Sequence, residues 1–169
     1  MGSPGGEAVT AAVLIIGDEI LSGRTQDTNL RDIARYLGVF GVDLAEARTV
    51  PDVMEEIIAA LNALRERYDY VITTGGIGPT HDDITADAVA QAFGVELYEH
   101  PDIIGMMESR WGAGNVTGAR RRMARIPVGG DLVKNPVQGP PGFTIGNVFV
   151  LAGVPQIMRG MLEDVGPRL

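Results

Sequence analysis

Apolar residues recur along this chain at two alternating spacings. Residues 9–16 form a continuous apolar run of strand length, and residues 29–37 place Leu30, Ile33, Ala34 and Leu37 at helical spacing. Gly38 or Gly41 ends that helix, and residues 42–50 read as a second strand. Pro51 suits the first turn of a helix, with Val53, Ile57, Ile58, Leu61 and Leu64 forming one apolar face beyond it. Residues 70–74 are a short apolar strand of the kind buried on both faces. Residues 84–93 form the next helix, with Gly94 as its cap. This alternation predicts a mostly parallel sheet with helices on both faces. Ligands bind such sheets at the carboxyl ends of the strands.

The second half is less regular. Residues 101–111 and 117–125 read as two helices around a Gly112-Ala113-Gly114-Asn115 loop. Phe143-Thr144-Ile145 and Val148-Phe149-Val150-Leu151 flank Gly146-Asn147, a two-residue hairpin signal with glycine first. Pro155 starts a last helix through Met158 and Leu162. Residues 9–169 are expected to form one domain, without repeat, linker or low-complexity tract. Residues 1–8 read as a disordered lead or tag remnant.

Composition narrows the chemistry. A chain of 169 residues, 45% hydrophobic and 21% charged, can bury a sizeable core. With no cysteine, thiolate metal sites, disulfides and cysteine nucleophiles are excluded. The 2 histidines, His81 and His100, do not suffice for a multi-histidine zinc site. A net charge of -8 argues against a general nucleic-acid partner. No apolar run approaches a membrane span, no membrane partner is expected, and the expected location is the cytoplasm.

Against this background the run Thr73-Thr74-Gly75-Gly76-Ile77-Gly78-Pro79-Thr80-His81-Asp82-Asp83-Ile84-Thr85 stands out. Gly75, Gly76 and Gly78 let the backbone turn sharply and approach a ligand closely. The following helix N-terminus suits a phosphate. Asp82 and Asp83 would repel that phosphate unless a divalent metal lay between them. A plainer role exists, since Thr80 and Asp83 have the spacing of a capping box. No Gly-Lys-Ser/Thr follows, so the loop is not a Walker A motif, and a dinucleotide fingerprint would follow the first strand, not the third.

More acids fall at the same rim. Asp18 and Glu19 follow the first strand, and Gln26-Asp27-Thr28-Asn29 closes into the first helix. Asp18 and Glu19 are ligand-facing or plain turn residues; Thr28 or Asn29 caps the helix. His81 reads as an exposed loop residue and His100 as a helix-start residue. Arg120, Arg121, Arg122 and Arg125 form the basic cluster; on a helix Arg121 and Arg125 share a face, as do Arg122 and Arg125, and they are read as a solvated helix face, a second phosphate contact or partners for acids of a neighbouring subunit. Trp111 reads as a packing anchor, and Met106, Met107, Met158 and Met161 as core or interface filler.

Gly17-Asp18-Glu19-Ile20-Leu21 with Thr28-Asn29, and Thr74-Gly75-Gly76-Ile77-Gly78-Pro79-Thr80 with Asp82-Asp83-Ile84-Thr85, resemble the MoaB/Mog molybdopterin-binding domain family. The variety they resemble most is the N-terminal domain of the competence/damage-inducible CinA proteins. Asn135-Pro136-Val137, Pro140-Pro141-Gly142-Phe143 and Leu151-Ala152-Gly153-Val154-Pro155 fit that pattern in order and spacing. The resemblance runs from about Ala11 to the last residue.

The resemblance implies a three-layer α/β/α sandwich with a mostly parallel central sheet and a small β-hairpin near the C-terminus. It implies binding of a pterin phosphate or nucleotide diphosphate. CinA-type relatives are associated with cleavage of ADP-ribose, FAD synthase relatives with FAD hydrolysis, and Mog relatives with adenylyl transfer onto molybdopterin. Gly75, Gly76, Gly78 and Thr80 match the phosphate loop, and Asn29, Asp18, Glu19 and Gly142 are further ligand-site candidates. Asp83 matches an acid common to both varieties, while Asp82 is acidic on the CinA side only. Asp52 matches an acid in both, although an acid in a first helical turn also favours the dipole. The implied catalytic set is Asp83, Asp82 and Asp52, and the implied metal ligands are Asp83, Asp82 and Glu19. The implied cofactor is magnesium, manganese or cobalt, with potassium as a further ion and molybdopterin as an alternative ligand. CinA proteins usually continue into a second, deamidase-type domain, so no deamidase activity is expected from residues 1–169. A homo-oligomer, dimer or trimer, is expected. The expected activity is metal-dependent release of AMP from ADP-ribose or a related dinucleotide such as FAD. The alternatives are a non-catalytic binding or oligomerising module and a molybdopterin adenylyltransferase.

Overall fold

The structure, a computed structural model, describes residues 6–169. Most of the expected lead over residues 1–8 lies outside the described residues. In chain order the elements are β1 (Val9–Ile16), α1 (Asp18–Leu21), α2 (Asn29–Val39), β2 (Val42–Val50), α3 (Met54–Arg67), β3 (Tyr70–Thr74) and α4 (Thr85–Phe93). There follow β4 (Leu97–Glu99), α5 (Pro101–Trp111), α6 (Gly118–Arg122), β5 (Arg125–Pro127), β6 (Asp131–Val133), β7 (Gly142–Ile145), β8 (Val148–Leu151) and α7 (Pro155–Val165).

One six-stranded sheet has the order β2-β1-β3-β8-β7-β6. β2, β1, β3 and β8 run parallel, and β7 and β6 complete the sheet antiparallel. A separate two-stranded antiparallel sheet pairs β4 with β5.

The three layers follow from strand periodicity. Successive side chains of a strand point to opposite faces, so an all-apolar strand needs cover on both sides. In β1, Ala12, Leu14 and Ile16 join Ile57, Leu61 and Leu64 of α3 and Val89 of α4 in one core. Ala11, Val13 and Ile15 join Ile33 and Leu37 of α2 and Met158, Met161 and Leu162 of α7 in the other. The neighbouring strands split the same way, with Val71 and Val150 on the first face and Ile72 and Leu151 on the second. Leu61 is 0% exposed, and truncating such a side chain to alanine costs about 2–5 kcal/mol.

Local signals set several boundaries. Gly94 takes φ 67° after α4, the left-handed geometry that ends a helix. Ile145 pairs with Val148, leaving Gly146-Asn147 as the loop. Only Gly146 has positive φ there, at 55°, which is the hairpin turn with glycine first. α2 is capped differently from the expectation. Neither Thr28 nor Asn29 caps with its side chain; the Asp27 carboxylate accepts from the Asn29 and Leu30 N–H groups at 3.4 and 3.0 Å.

The helix expected over residues 117–125 is shorter. It ends at Arg122, and Arg125 lies in β5, where it pairs with Asp87 at 3.1 Å. Arg121 instead binds Glu99 at 2.7 Å. The shared helical face expected for Arg121 and Arg125 therefore does not form. The three-residue strands β4, β5 and β6 are too short to show an alternating pattern.

Candidate functional site

β1 lies between β2 and β3, so the chain leaves it toward one side and returns on the other. A crevice opens at such a reversal, outside the carboxyl ends of the strands. The loops after β1 and β3 both fall there. They line a cleft of about 470 Å³ that contains Glu19, Gly75, Gly76, Ile77, Gly78 and Asp83. The opposite wall comes from Asn135, Gln138, Pro140 and Pro141, and from Gly153, Val154 and Pro155 after β8. Asn135 ties its own loop together, its Nδ2 donating to the Gln138 carbonyl at 2.8 Å and its Oδ1 accepting from the Val137 N–H at 3.0 Å.

The glycines are demanded by close backbone approach. Gly75 has φ 96°, and a Cβ there would lie 2.2 Å from the Ile16 carbonyl oxygen. Gly76 has φ 73°, and a Cβ would strike the Thr85 hydroxyl. Thr85 is fully buried and locks the loop from below. Its hydroxyl donates to the Gly75 carbonyl at 2.9 Å, and its N–H donates to the Gly76 carbonyl at 3.0 Å. Asn29 holds the neighbouring loop through its Nδ2, which donates to the Gly153 carbonyl at 2.9 Å. That bond leaves the Asn29 Oδ1 buried without a partner.

Asp82 and Asp83 have opposite fates. Both the N–H and the hydroxyl of Thr80 donate to the Asp83 Oδ2, at 2.9 and 2.8 Å. Thr80 is thereby occupied in orienting Asp83, and α4 itself starts only at Thr85. Asp82, expected beside Asp83, is not brought into the cleft. Its side chain is 76% exposed and lies 3.4 Å from His81, itself 92% exposed. The two acids sit in a turn, not on a helix, and once Thr80 fixes Asp83 the adjacent side chain points outward.

Asp18 and Asp52 clasp each other across the strand ends. The Asp18 N–H donates to the Asp52 carboxylate at 3.1 Å, and the Asp52 N–H donates to the Asp18 carboxylate at 3.0 Å. Burial pushes the Asp52 carboxyl above its ordinary range, and the charges of Asp18, Glu19 and Asp83 push it further. The charges of Asp18, Glu19 and Asp83 thus reach Asp52, although Asp18 and Asp52 themselves do not line the cleft. Gly142 takes another place: a Cβ there would lie 2.4 Å from the Val150 carbonyl oxygen, so its glycine serves strand packing.

Among the described residues no three metal-type side chains are gathered in one cluster. Asp83 and Glu19 do face one cleft, and magnesium is held through one or two carboxylates completed by phosphate oxygens and water. Roles for Thr85 and Asp27 were not foreseen from sequence, and Arg122 was read only as one member of the basic cluster. Thr85 belongs to the glycine motif itself, whereas Arg122 carries no local signal that separates it from its arginine neighbours. Arg122 reaches the loop through its NH2, which donates to the Asp83 carbonyl at 3.2 Å.

Fold and site together define an α/β domain with a glycine-loop ligand cleft at the sheet crevice. The chain belongs to the family described as "Probable molybdopterin binding domain", whose model matches residues 12–169. It is 43% identical over 161 residues to a CinA-like protein of Citrifermentans bemidjiense, covering 90% of this chain and 38% of that protein. The chain thus spans about two fifths of that relative's length. The crystal structure of CinA from Thermoplasma acidophilum superposes with a TM-score of 0.89 at 34% identity, covering 95% of this chain and 98% of that one. The molybdopterin biosynthesis enzyme MoaB of Thermus thermophilus shares the fold, with a TM-score of 0.62 at 24% identity, covering 95% of this chain and 91% of that one. Among the described residues no helix is long and apolar enough to cross a membrane.

Proposed function

We propose that the cleft binds a nucleoside diphosphate ligand and hydrolyses its pyrophosphate bond, releasing AMP from ADP-ribose or a related dinucleotide such as FAD. One observation carries this reading. The glycine loop, Asp83 and Glu19 line a single cleft, and the neighbouring Asp52 carboxyl is raised by burial first and then by the charges of Asp18, Glu19 and Asp83.

Asp83 and Glu19 would hold a divalent cation, with magnesium, manganese and cobalt as candidates and potassium as a further ion. Such an ion neutralises phosphate charge and draws electron density from the phosphorus. The N–H groups of the glycine loop hold the phosphate oxygens, as strand-to-helix loops can. Thr80 keeps Asp83 oriented throughout. Asp52, its carboxyl raised by burial and then by the neighbouring charges, is the proposed acceptor of a proton from the attacking water. Water adds across the P–O–P bond; its oxygen joins the adenylyl phosphorus, and its protons pass to the carboxylate and the departing phosphate.

A second reading is supported by the family description and by the fold shared with MoaB. In it the cleft binds molybdopterin, either as a binding module or for adenylylation of its phosphate. The reading also includes a homo-oligomer, to be measured by light scattering.

The test is AMP release measured by chromatography. The protein is incubated with ADP-ribose or FAD and magnesium, manganese or cobalt, with and without potassium. AMP that requires both the metal and Asp83 supports the pyrophosphatase. Its absence under every condition sinks that reading and moves the test to molybdopterin binding and adenylylation.

A further inference from the structure

We infer that Arg122 is the residue that recognises the second phosphate of a diphosphate ligand. This rests on the glycine loop holding the first phosphate. Most arginines of the described chain have a carboxylate within ion-pair distance, among them Arg121 with Glu99 and Arg125 with Asp87. Arg122 has none. Its NH2 meets only the neutral Asp83 carbonyl at 3.2 Å, and its Nε is buried with no hydrogen-bond partner.

A partly desolvated guanidinium without a counter-charge is costly to keep. Placed beside a phosphate loop, the cost has a use. Arg122 lines a small recess with Gly76, Ile77, Gly78 and Asp83. Those four also line the main cleft, so the recess is a side branch of it. The guanidinium therefore stands at the flank of whatever anion the glycine loop holds. In an otherwise acidic rim it supplies positive charge from the protein itself. A monophosphate on the loop leaves that charge uncompensated, whereas a diphosphate brings an additional anionic group to it. Arginine presents a planar fork suited to phosphate oxygens. Arg125 shares the recess but is held by Asp87 through both terminal nitrogens, at 3.3 and 3.1 Å.

The test is calorimetric titration of ADP and of AMP into the wild type, Arg122→Gln and Arg122→Lys, at one magnesium concentration. Comparing variants under identical conditions cancels chelation of magnesium by the nucleotide. Arg122→Gln is expected to weaken ADP about tenfold or more and AMP less than about twofold, the scale of one lost charge-assisted contact. Arg122→Lys keeps the charge and recovers part of the ADP affinity. Thermal melting checks that each variant is folded. Equal losses for ADP and AMP would mean that Arg122 only positions the Asp83 turn, and would overturn the inference, as would no loss for either. Failure of the wild type to bind AMP or ADP would instead overturn the phosphate role of the glycine loop, and this inference with it.

Discussion

Two hollows among the described residues differ in kind, and the larger of the two is the poorer candidate for chemistry. One, of about 750 Å³, runs along α5 and is lined by Ile103, Met106, Met107, Trp111 and Pro140. The other, of about 470 Å³, lies at the crevice between the ends of β1 and β3. The α5 hollow is shaped by apolar side chains packed around a helix, with Asp102 and Arg110 as its charged members. The crevice gathers a positive-φ glycine loop and carboxylates from separate elements. Volume follows from how side chains of uneven size cover a helix. A reactive site needs polar groups held at close quarters, and those are fixed by backbone bonds.

The contrast can be broken by substitution. Gly75→Ala is expected to have the largest effect, because it forces a Cβ against the Ile16 carbonyl at a φ of 96°. A destabilisation of roughly 3 kcal/mol or more is expected, seen as a Tm lower by about 6 °C or more in calorimetry. Asp83→Asn comes next. It keeps an acceptor for Thr80 and so retains the fold, but AMP release is expected to fall about a hundredfold or more. Turnover unchanged in that variant would falsify a catalytic role for the acid.

Asp52→Asn removes the proposed base, and it also changes how stability depends on pH. A carboxyl with a raised folded value binds more protons folded than unfolded in the window between the two values. Stability therefore falls as pH rises through that window above 3.8, the ordinary aspartate value. The asparagine variant escapes this loss. It should melt at or above the wild-type temperature near neutral pH, with the gap closing as pH falls toward 3.8. A gap that widens on acidification would contradict the charge crowding around Asp52.

Smaller effects sharpen the contrast from the other side. Asp82→Asn, at a side chain 76% exposed, should change AMP release by less than about twofold. Met106→Ser, in the larger hollow, should leave turnover within the same margin while it dries or wets only that groove. A hundredfold loss from Met106→Ser would make the α5 hollow part of the site.

Much of this was legible beforehand. The strands of residues 9–16 and 70–74, the Gly94 cap and the Gly146-Asn147 hairpin all depend on contacts within a few residues, and each formed as expected; the α3 face formed through Ile57, Leu61 and Leu64, but the helix starts at Met54, not Pro51, and leaves Val53 exposed. The glycine loop was legible for the same reason, since its positive φ values need residues without a Cβ. The helix over residues 117–125 was misjudged because pairing with β4 draws Arg125 into a strand. Helical spacing alone cannot register a partner strand some 25 positions away.

Sequence by itself thus determined the alternation of the longer strands and helices as far as α4, the two-sided burial of β3 and the glycine loop that follows it. These depend on periodicity and on backbone freedom, which are local. Tertiary structure decided which acids work together. Asp18 meets Asp52 across 34 positions, and Asn29 meets Gly153 across 124. Asp82 and Asp83, adjacent in the chain, are separated in function by the hydrogen bonds of one threonine. Carboxylates converge only once the sheet has stacked their strands, and the energy that selects their orientation lies in contacts the chain makes last.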